Sequence, residues 1–267
     1  MEQTLHLTNT TLVVTFRCNL KCKLCAVSAP YYTVPPHYSL ETLTGSVERY
    51  FEIVDYVDKF TINGGEPLLH PQLPDIMRFM LRFIDRIGTL EIITNGTVAP
   101  NKQLLNSLKI SDKIDILVDN YGPDLSVKVP QIVEAFNEER IKHRVRKYYG
   151  EDAHFGGWVD LLDLSKKNRS SEQTESIYKH CAYPGPFRCF VIFGEKAYIC
   201  GVYKRCESLG IIPENPDEYV DFSSNSIPIS DKKNQIRNFY NRRYFSACEY
   251  CNGFCEDSKR YIPAEQL

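Results

Sequence analysis

The 267-residue chain holds one tryptophan and three methionines, and no stretch of it reaches the roughly 18 consecutive apolar residues of a membrane span. The opening MEQTLHLTNTTLVV has neither a basic region ahead of a long apolar run nor a small-residue cleavage site. Both absences lead to the expectation of a cytoplasmic protein without membrane contact. An excess of one charge is missing as well. Thirty-two basic residues face 34 acidic ones for a net charge of -2, which leaves no basic footprint for nucleic acid and no polybasic patch for a lipid surface. Internal repeats and low-complexity tracts are also lacking. With 43% hydrophobic residues the chain is globular and fits one large domain or a domain with a small appendage.

Cysteine, by contrast, is plentiful, with ten residues. In a reducing compartment ten thiols do not read as a disulfide framework, so metal ligation or reactivity is the leading explanation. Three of them, Cys18, Cys22 and Cys25, fall in RCNLKCKLCAV directly after the apolar run 12–16. Spacings of four and three let one loop wrap three thiolates around a single centre and leave a coordination position open. A structural zinc site would close with a fourth ligand, for which His37 is the nearest candidate in sequence. Thiolates are equally the normal ligands of iron-sulfur clusters, where an iron without a protein ligand can bind a small molecule.

CNLKCKLC at the end of a first strand resembles the cluster loop of the radical S-adenosylmethionine (SAM) superfamily. Three further segments are similar to that family's motifs in order. Gly64, Gly65, Glu66 and Pro67 match its GGEP, Thr94, Asn95 and Gly96 its TNG, and Asp119 stands where the fourth strand usually turns a polar residue toward the cofactor. The resemblance implies that Gly64, Gly65, Glu66, Pro67, Thr94, Asn95 and Asp119 border SAM. The paired glycines would let the main chain approach it without an intervening side chain. The sequence departs from the family at Leu24, where an aromatic residue is common.

Short apolar runs at 11–16, 59–63, 89–94, 114–118, 141–148 and 158–162 read as strands alternating with helical periodicity, the pattern of a parallel sheet. Helices are expected after Ser39, over 73–87 and from Pro130. The fold class is therefore α/β. By the resemblance, residues 1–165 form a partial (β/α)6 barrel with its motifs at the strand C-termini. Residues 166–180 form a linker or exposed helix, and 181–267 a small domain of a β-hairpin plus helix.

Seven cysteines fall in that last part, and RCFVIFGEKAYIC reads as a hairpin turning at Gly194. The arrangement resembles the twitch domain, a shortened SPASM module. That likeness implies one auxiliary 4Fe-4S cluster on Cys181, Cys200, Cys248 and Cys251, with Cys255 able to replace any of them. A zinc knuckle on the same thiols is the alternative. Cys189 reads as a small buried hydrophobe. Cys206, beside Lys204 and Arg205, is expected to be an accessible, reactive thiol, the candidate hydrogen-atom donor of an epimerase.

The resemblance implies reductive cleavage of SAM to a 5′-deoxyadenosyl radical, with an electron from a reductant such as flavodoxin or ferredoxin. The expected reaction is oxidation of a sugar or aminocyclitol alcohol, the auxiliary cluster accepting an electron. Arg144, Arg146, Tyr148 and Trp158 are candidate substrate contacts. A peptide-modifying enzyme that epimerises or crosslinks is the second reading. A zinc-binding interaction protein without catalysis is the third.

Overall fold

Strand β1, His6–Thr15, is the hub of the structure, a computed structural model that describes residues 4–224 and 226–267. Its Thr- and Val-rich sequence suits a pleated strand, and it pairs in parallel on both sides, with β2 (Tyr56–Gly64) and with β6 (Val191–Phe193). It begins five residues before the expected start. In the polar stretch HLTNT, Leu7 and Thr10 are buried on opposite faces of the strand, the Thr10 hydroxyl meeting the buried Tyr50 hydroxyl at 2.7 Å.

Ser39 caps helix α1 (Leu40–Ile53) by accepting the Thr42 N–H at 3.1 Å, and the buried side chains Leu43, Val47, Tyr50 and Phe51 lay α1 on the sheet. After β2 come α2 (Leu73–Met80), which tightens into a 3-10 turn over Leu81–Arg86, and β3 (Ile87–Thr94). Then follow α3 (Lys102–Leu108), β4 (Ile114–Asn120), α4 (Val129–Glu138), opened by Pro130 as expected, and β5 (His143–Lys147). Helix α5 (Ser171–His180) carries a capping box between Ser170 and Gln173. The hairpin of β6 and β7 (Lys196–Tyr198) turns at Gly194, whose φ of 59° is the left-handed conformation glycine supplies freely. Helix α6 (Gly201–Ser208), the short β8 (Val220–Asp221) and α7 (Ile229–Phe239) complete the element order.

The sheet is open and ordered β5-β4-β3-β2-β1-β6-β7-β8, with six parallel strands and an antiparallel edge. Two expectations are corrected. Residues 158–162 form no strand: left-handed Gly156 and Gly157 precede them, and the Asp160 carboxylate takes the Leu162 and Asp163 N–H groups at 2.9 and 3.1 Å, which bends the chain into a turn. The sixth parallel strand is instead β6, from the second cysteine region. The sheet therefore runs through the expected boundary at 166–180, with Thr11, Leu12 and Val13 registered on Val191, Ile192 and Phe193.

One sheet face is apolar and covered by helices, through Phe60, Ile62, Leu90, Ile92, Ile116 and Val118. The other carries charge. Arg144 pairs with Glu91 and, at 2.8 Å, with Asp115, and Lys59 approaches Glu91 at 3.8 Å. Above that network, at the strand C-termini, the inner face opens into a cavity.

Candidate functional site

The cavity measures about 380 Å³ and gathers residues from five βα segments. Cys18, Cys22 and Cys25 line it together with Leu24, Gly64, Gly65, Thr94, Asn95 and Asp119. Most of the residues expected to border one site are thus in one place. Each thiol is met by N–H groups. Asn95 Nδ2 donates to Cys18 Sγ at 3.5 Å, Gln266 Nε2 to Cys22 Sγ at 3.4 Å, and the backbone of 27–29 turns toward Cys25. Burial pushes Cys18 up to about 12 and Cys22 up to about 11, so these thiols keep their protons until a cationic centre offsets the lost solvation.

Gly65 is glycine for a reason other than ligand access. A Cβ there would lie 2.4 Å from the Arg17 carbonyl oxygen, and one on Gly64 would lie 2.3 Å from that of Thr15. Gly65 N–H and Glu66 N–H donate to those same two carbonyls, of Thr15 and Arg17, at 2.7 and 2.9 Å. The double glycine is what lets β2 lock onto the root of the cysteine loop.

Glu66 and Pro67, unlike the two glycines before them, do not line the cavity. Glu66 is fully buried. Its carboxylate accepts the Asn95 N–H at 2.7 Å, the Thr94 hydroxyl at 2.9 Å and the Leu68 N–H at 2.9 Å, so it braces the end of β3 against that of β2. Burial raises it to about 7 against those three donors. Pro67 starts the following 3-10 turn.

Asp119 grips Arg146 through two contacts of 2.7 and 2.9 Å. Arg144 lies below the cavity in the charged network and does not line it, which corrects its expected substrate contact. His37 is no fourth ligand, since it bonds Thr15 at 3.0 Å and stacks on His70 at 4.5 Å. Opposite the thiols the walls are aromatic. Tyr121 stacks on Tyr148, Trp158 stands edge-on to both, and Phe155, Phe187, Tyr183 and Phe254 continue the surface. Tyr121, Phe155, Tyr183, Phe187 and Phe254 were not legible in the sequence, because they lie on loops without periodicity or motif.

A second, smaller cavity of about 40 Å³ is lined by Cys181, Cys200, Cys248 and Cys251 among apolar neighbours such as Ile199, Val202 and Phe245. Cys181 follows α5, Cys200 caps α6, and Cys248 and Cys251 flank the end of a 3-10 turn. The N–H groups of Phe254 and Gly253 meet the Cys181 and Cys251 sulfurs at 3.5 and 3.3 Å. Arg169, in the segment expected to be a linker, donates to the carbonyls of Cys248 and Cys251 at 3.0 and 2.6 Å. Tyr183 lines both cavities and forms a shared wall.

Cys206 does not fit its expected role. It is 0% exposed in the core face of α6 and lines neither cavity, and burial raises its pKa to about 11 against the weaker pull of Arg205. Cys255 is buried with its sulfur 3.6 Å from the Ile177 carbonyl, outside the quartet's cavity. Cys189 is largely shielded, its pKa pushed up to about 12 by burial.

Among the described residues no three His, Cys, Asp or Glu side chains converge closely enough to hold a single metal ion. Three thiols on one loop, bordering a cavity and met by N–H donors, have the donor chemistry of an iron-sulfur cluster with a free position. No helix among the described residues is long and apolar enough to cross a membrane.

Comparison with known proteins agrees with this geometry. Over 114 residues the chain is 29% identical to a GTP 3',8-cyclase of Limosilactobacillus fermentum, a match covering 42% of this chain and 33% of that protein. The chain thus spans about a third of the length of that curated relative. BtrN in complex with AdoMet and 2-DOIA superimposes with a TM-score of 0.58 at 15% identity, covering 100% of both chains. Streptococcus suis SuiB bound to S-adenosylmethionine gives a TM-score of 0.56 at 14% identity, covering 98% of this chain and 76% of that one. At such identities the likeness is one of fold. The profile of the Radical SAM superfamily matches residues 12–171. Because that match runs from the middle of β1 to the first residue of α5, over more than half of the chain, this protein belongs to the radical SAM superfamily.

Proposed function

We propose that this radical SAM enzyme is an oxidoreductase with two clusters. Cys18, Cys22 and Cys25 hold a 4Fe-4S cluster whose open iron takes SAM, bordered by Gly64, Gly65, Thr94, Asn95 and Asp119. Cys181, Cys200, Cys248 and Cys251 hold an auxiliary 4Fe-4S cluster. When bound, the first cluster would pass one electron to SAM, which would split into methionine and a 5′-deoxyadenosyl radical able to remove a substrate hydrogen atom, and the second would accept the electron that the substrate radical gives up with a proton. A reductant such as flavodoxin or ferredoxin delivers the initiating electron. The observation that carries this reading is the second thiol quartet, gathered in an apolar cavity that shares the Tyr183 wall with the first.

The chain's own residues hold the substrate and exclude water. Tyr121, Tyr148, Trp158 and Phe187 give an aromatic wall against which a ring can pack. Among the described residues lining the cavity Arg146 is the sole cation, and Asp119 neutralises it. A nucleoside triphosphate would find no unpaired positive charge there, so a neutral, ring-shaped alcohol of sugar or cyclitol type fits better. A peptide is the second reading, favoured by Phe155, which is 49% exposed at the edge of the cavity beside Phe187 and Phe254.

Anaerobic reconstitution is expected to give about eight irons per chain, and Cys248→Ala/Cys251→Ala about four, with SAM cleavage retained and the oxidised product lost. Eight irons retained in the double variant, or a product of unchanged mass that takes up solvent deuterium, would overturn the reading.

A further inference from the structure

Segment 261–267 lies across two walls of the first cavity. At one end Tyr261 exchanges backbone hydrogen bonds of 2.9 and 2.8 Å with Trp158, which lines the cavity. At the other, Gln266 forms a bridge with Cys22. The Lys23 N–H donates to the Glu265 carbonyl at 2.7 Å, the Leu267 N–H donates to the Lys21 carbonyl at 2.9 Å, and the Lys23 ammonium pairs with the Glu265 carboxylate. The side-chain amide of Gln266 is used at both atoms. Its Oε1 accepts the Lys21 N–H at 2.7 Å, and Nε2 stands 3.4 Å from Cys22 Sγ and 2.5 Å from the Ala264 carbonyl. The amide orientation is fixed by chemistry, because the Lys21 N–H needs an oxygen and the Ala264 carbonyl needs a donor.

Cys18 has a comparable donor in Asn95, close by on the same set of strand ends, and Cys25 is served by its own loop. Cys22 depends on a residue 244 positions away. A donor to a cluster sulfur stabilises the more negative, reduced state and so raises the reduction potential.

We infer that Gln266 is a positioning residue of the SAM-binding cluster: through Nε2 it holds the Cys22 thiolate in its ligating place and raises the cluster's reduction potential. Segment 261–267 ties that ligand to the substrate wall at Trp158. The inference rests on Cys22 being a cluster ligand.

The test uses the reconstituted full chain in the Cys248→Ala/Cys251→Ala background, where the SAM-binding cluster alone reports in a redox titration followed by electron paramagnetic resonance. Gln266→Leu is expected to move the midpoint to lower potential and to slow SAM cleavage about tenfold. Gln266→Glu keeps the acceptor for Lys21 but sets a carboxylate against the sulfur, and is expected to move the midpoint further the same way. Iron loss in Gln266→Leu with an unchanged far-ultraviolet dichroism spectrum supports the assignment, since Cys22 is then no longer presented. A midpoint at the parental value in the loaded Gln266 variants overturns it, as does loss of fold together with iron in both. Cys22→Ala run in parallel separates the two levels. Full iron loading there sinks the ligand assignment, whereas lost loading there with unmoved potentials in the Gln266 variants sinks only the role of Gln266.

Discussion

The two thiol groups differ in how the chain brings them together. Cys18, Cys22 and Cys25 sit on one loop, within eight residues, at the edge of a cavity of about 380 Å³ with polar and aromatic walls. Cys181, Cys200 and the pair Cys248 and Cys251 come from three places in the chain and surround about 40 Å³ of apolar space. A loop with three thiols can present an incomplete set of ligands to a centre that must also receive a small molecule. Four thiols complete a ligand set and so close the coordination without an outside group. Cavity size and ligand number differ together: the three-thiol site has room for a small molecule beside the centre, the four-thiol site does not.

The largest expected effect falls on the open site alone. Cys18→Ala, Cys22→Ala or Cys25→Ala each abolishes 5′-deoxyadenosine formation while about four irons remain at the closed site. Near wild-type cleavage in any of them, read by chromatography of the nucleoside, would remove the contrast. Gly65→Val comes next. Its side chain would displace the Arg17 carbonyl at the root of the loop, so both iron content and SAM affinity are expected to drop, the latter more than tenfold. Iron at the wild-type level with weakened SAM binding would restore the simpler view that this glycine only makes room for the ligand.

Arg169→Ala sharpens the closed site. Loss of its bonds to the Cys248 and Cys251 carbonyls is expected to cost about 1–3 kcal/mol and to release iron from that site first under chelator, as followed by absorbance. Glu66→Gln is expected to cost a similar amount, about 1–3 kcal/mol, at pH 4.5 and less at pH 8, because an amide cannot accept from all three donors that face the carboxyl group. Burial raises the folded-state pKa of Glu66 from 4.5 to about 7, so the folded form binds a proton more tightly than the unfolded. Its contribution is fully present below pH 4.5 and is lost as pH rises toward 7. Denaturant titrations of the apoprotein should show that slope in the wild type and not in Glu66→Gln. The smallest effect is expected at Cys206. Cys206→Ala should lower stability by about 1 kcal/mol and leave turnover unchanged, since its sulfur is buried away from both cavities.

The contrast also explains what was legible in the sequence. The open site is built from short motifs at strand ends, so Cys18, Cys22, Cys25, Gly64, Gly65, Thr94, Asn95 and Asp119 were readable from spacing and resemblance. The direction of Glu66 was not, because a motif gives residue order and not which side of a wall a carboxylate faces. The closed site was readable as thiols around a hairpin. Cys206 misled, because flanking cations said nothing of its place on the buried face of α6. Strand 158–162 failed because its apolar residues serve the cavity wall, while the sixth parallel strand lay beyond the expected boundary. Gln266 and Arg169 act through contacts with residues 244, 79 and 82 positions distant, for which local pattern holds no signal.

The pairing of β1 with both β2 and β6 has a consequence for the order of events during synthesis. The cysteine loop leaves the ribosome before β6, so the strand that carries it stays unpaired on one side until Val191–Phe193 emerge, and Cys22 lacks its amide donor until Gln266 follows. At ordinary elongation rates of about 5–20 residues per second, 244 positions correspond to roughly 12–50 s. Until β6 emerges, three thiols ride on a strand with a bare hydrogen-bonding edge, exposed to oxidation and to mispairing. Iron delivered before β6 docks would meet a loop without its scaffold. The topology thus makes completion of the β1 edge wait for the whole of the chain between Thr11 and Val191.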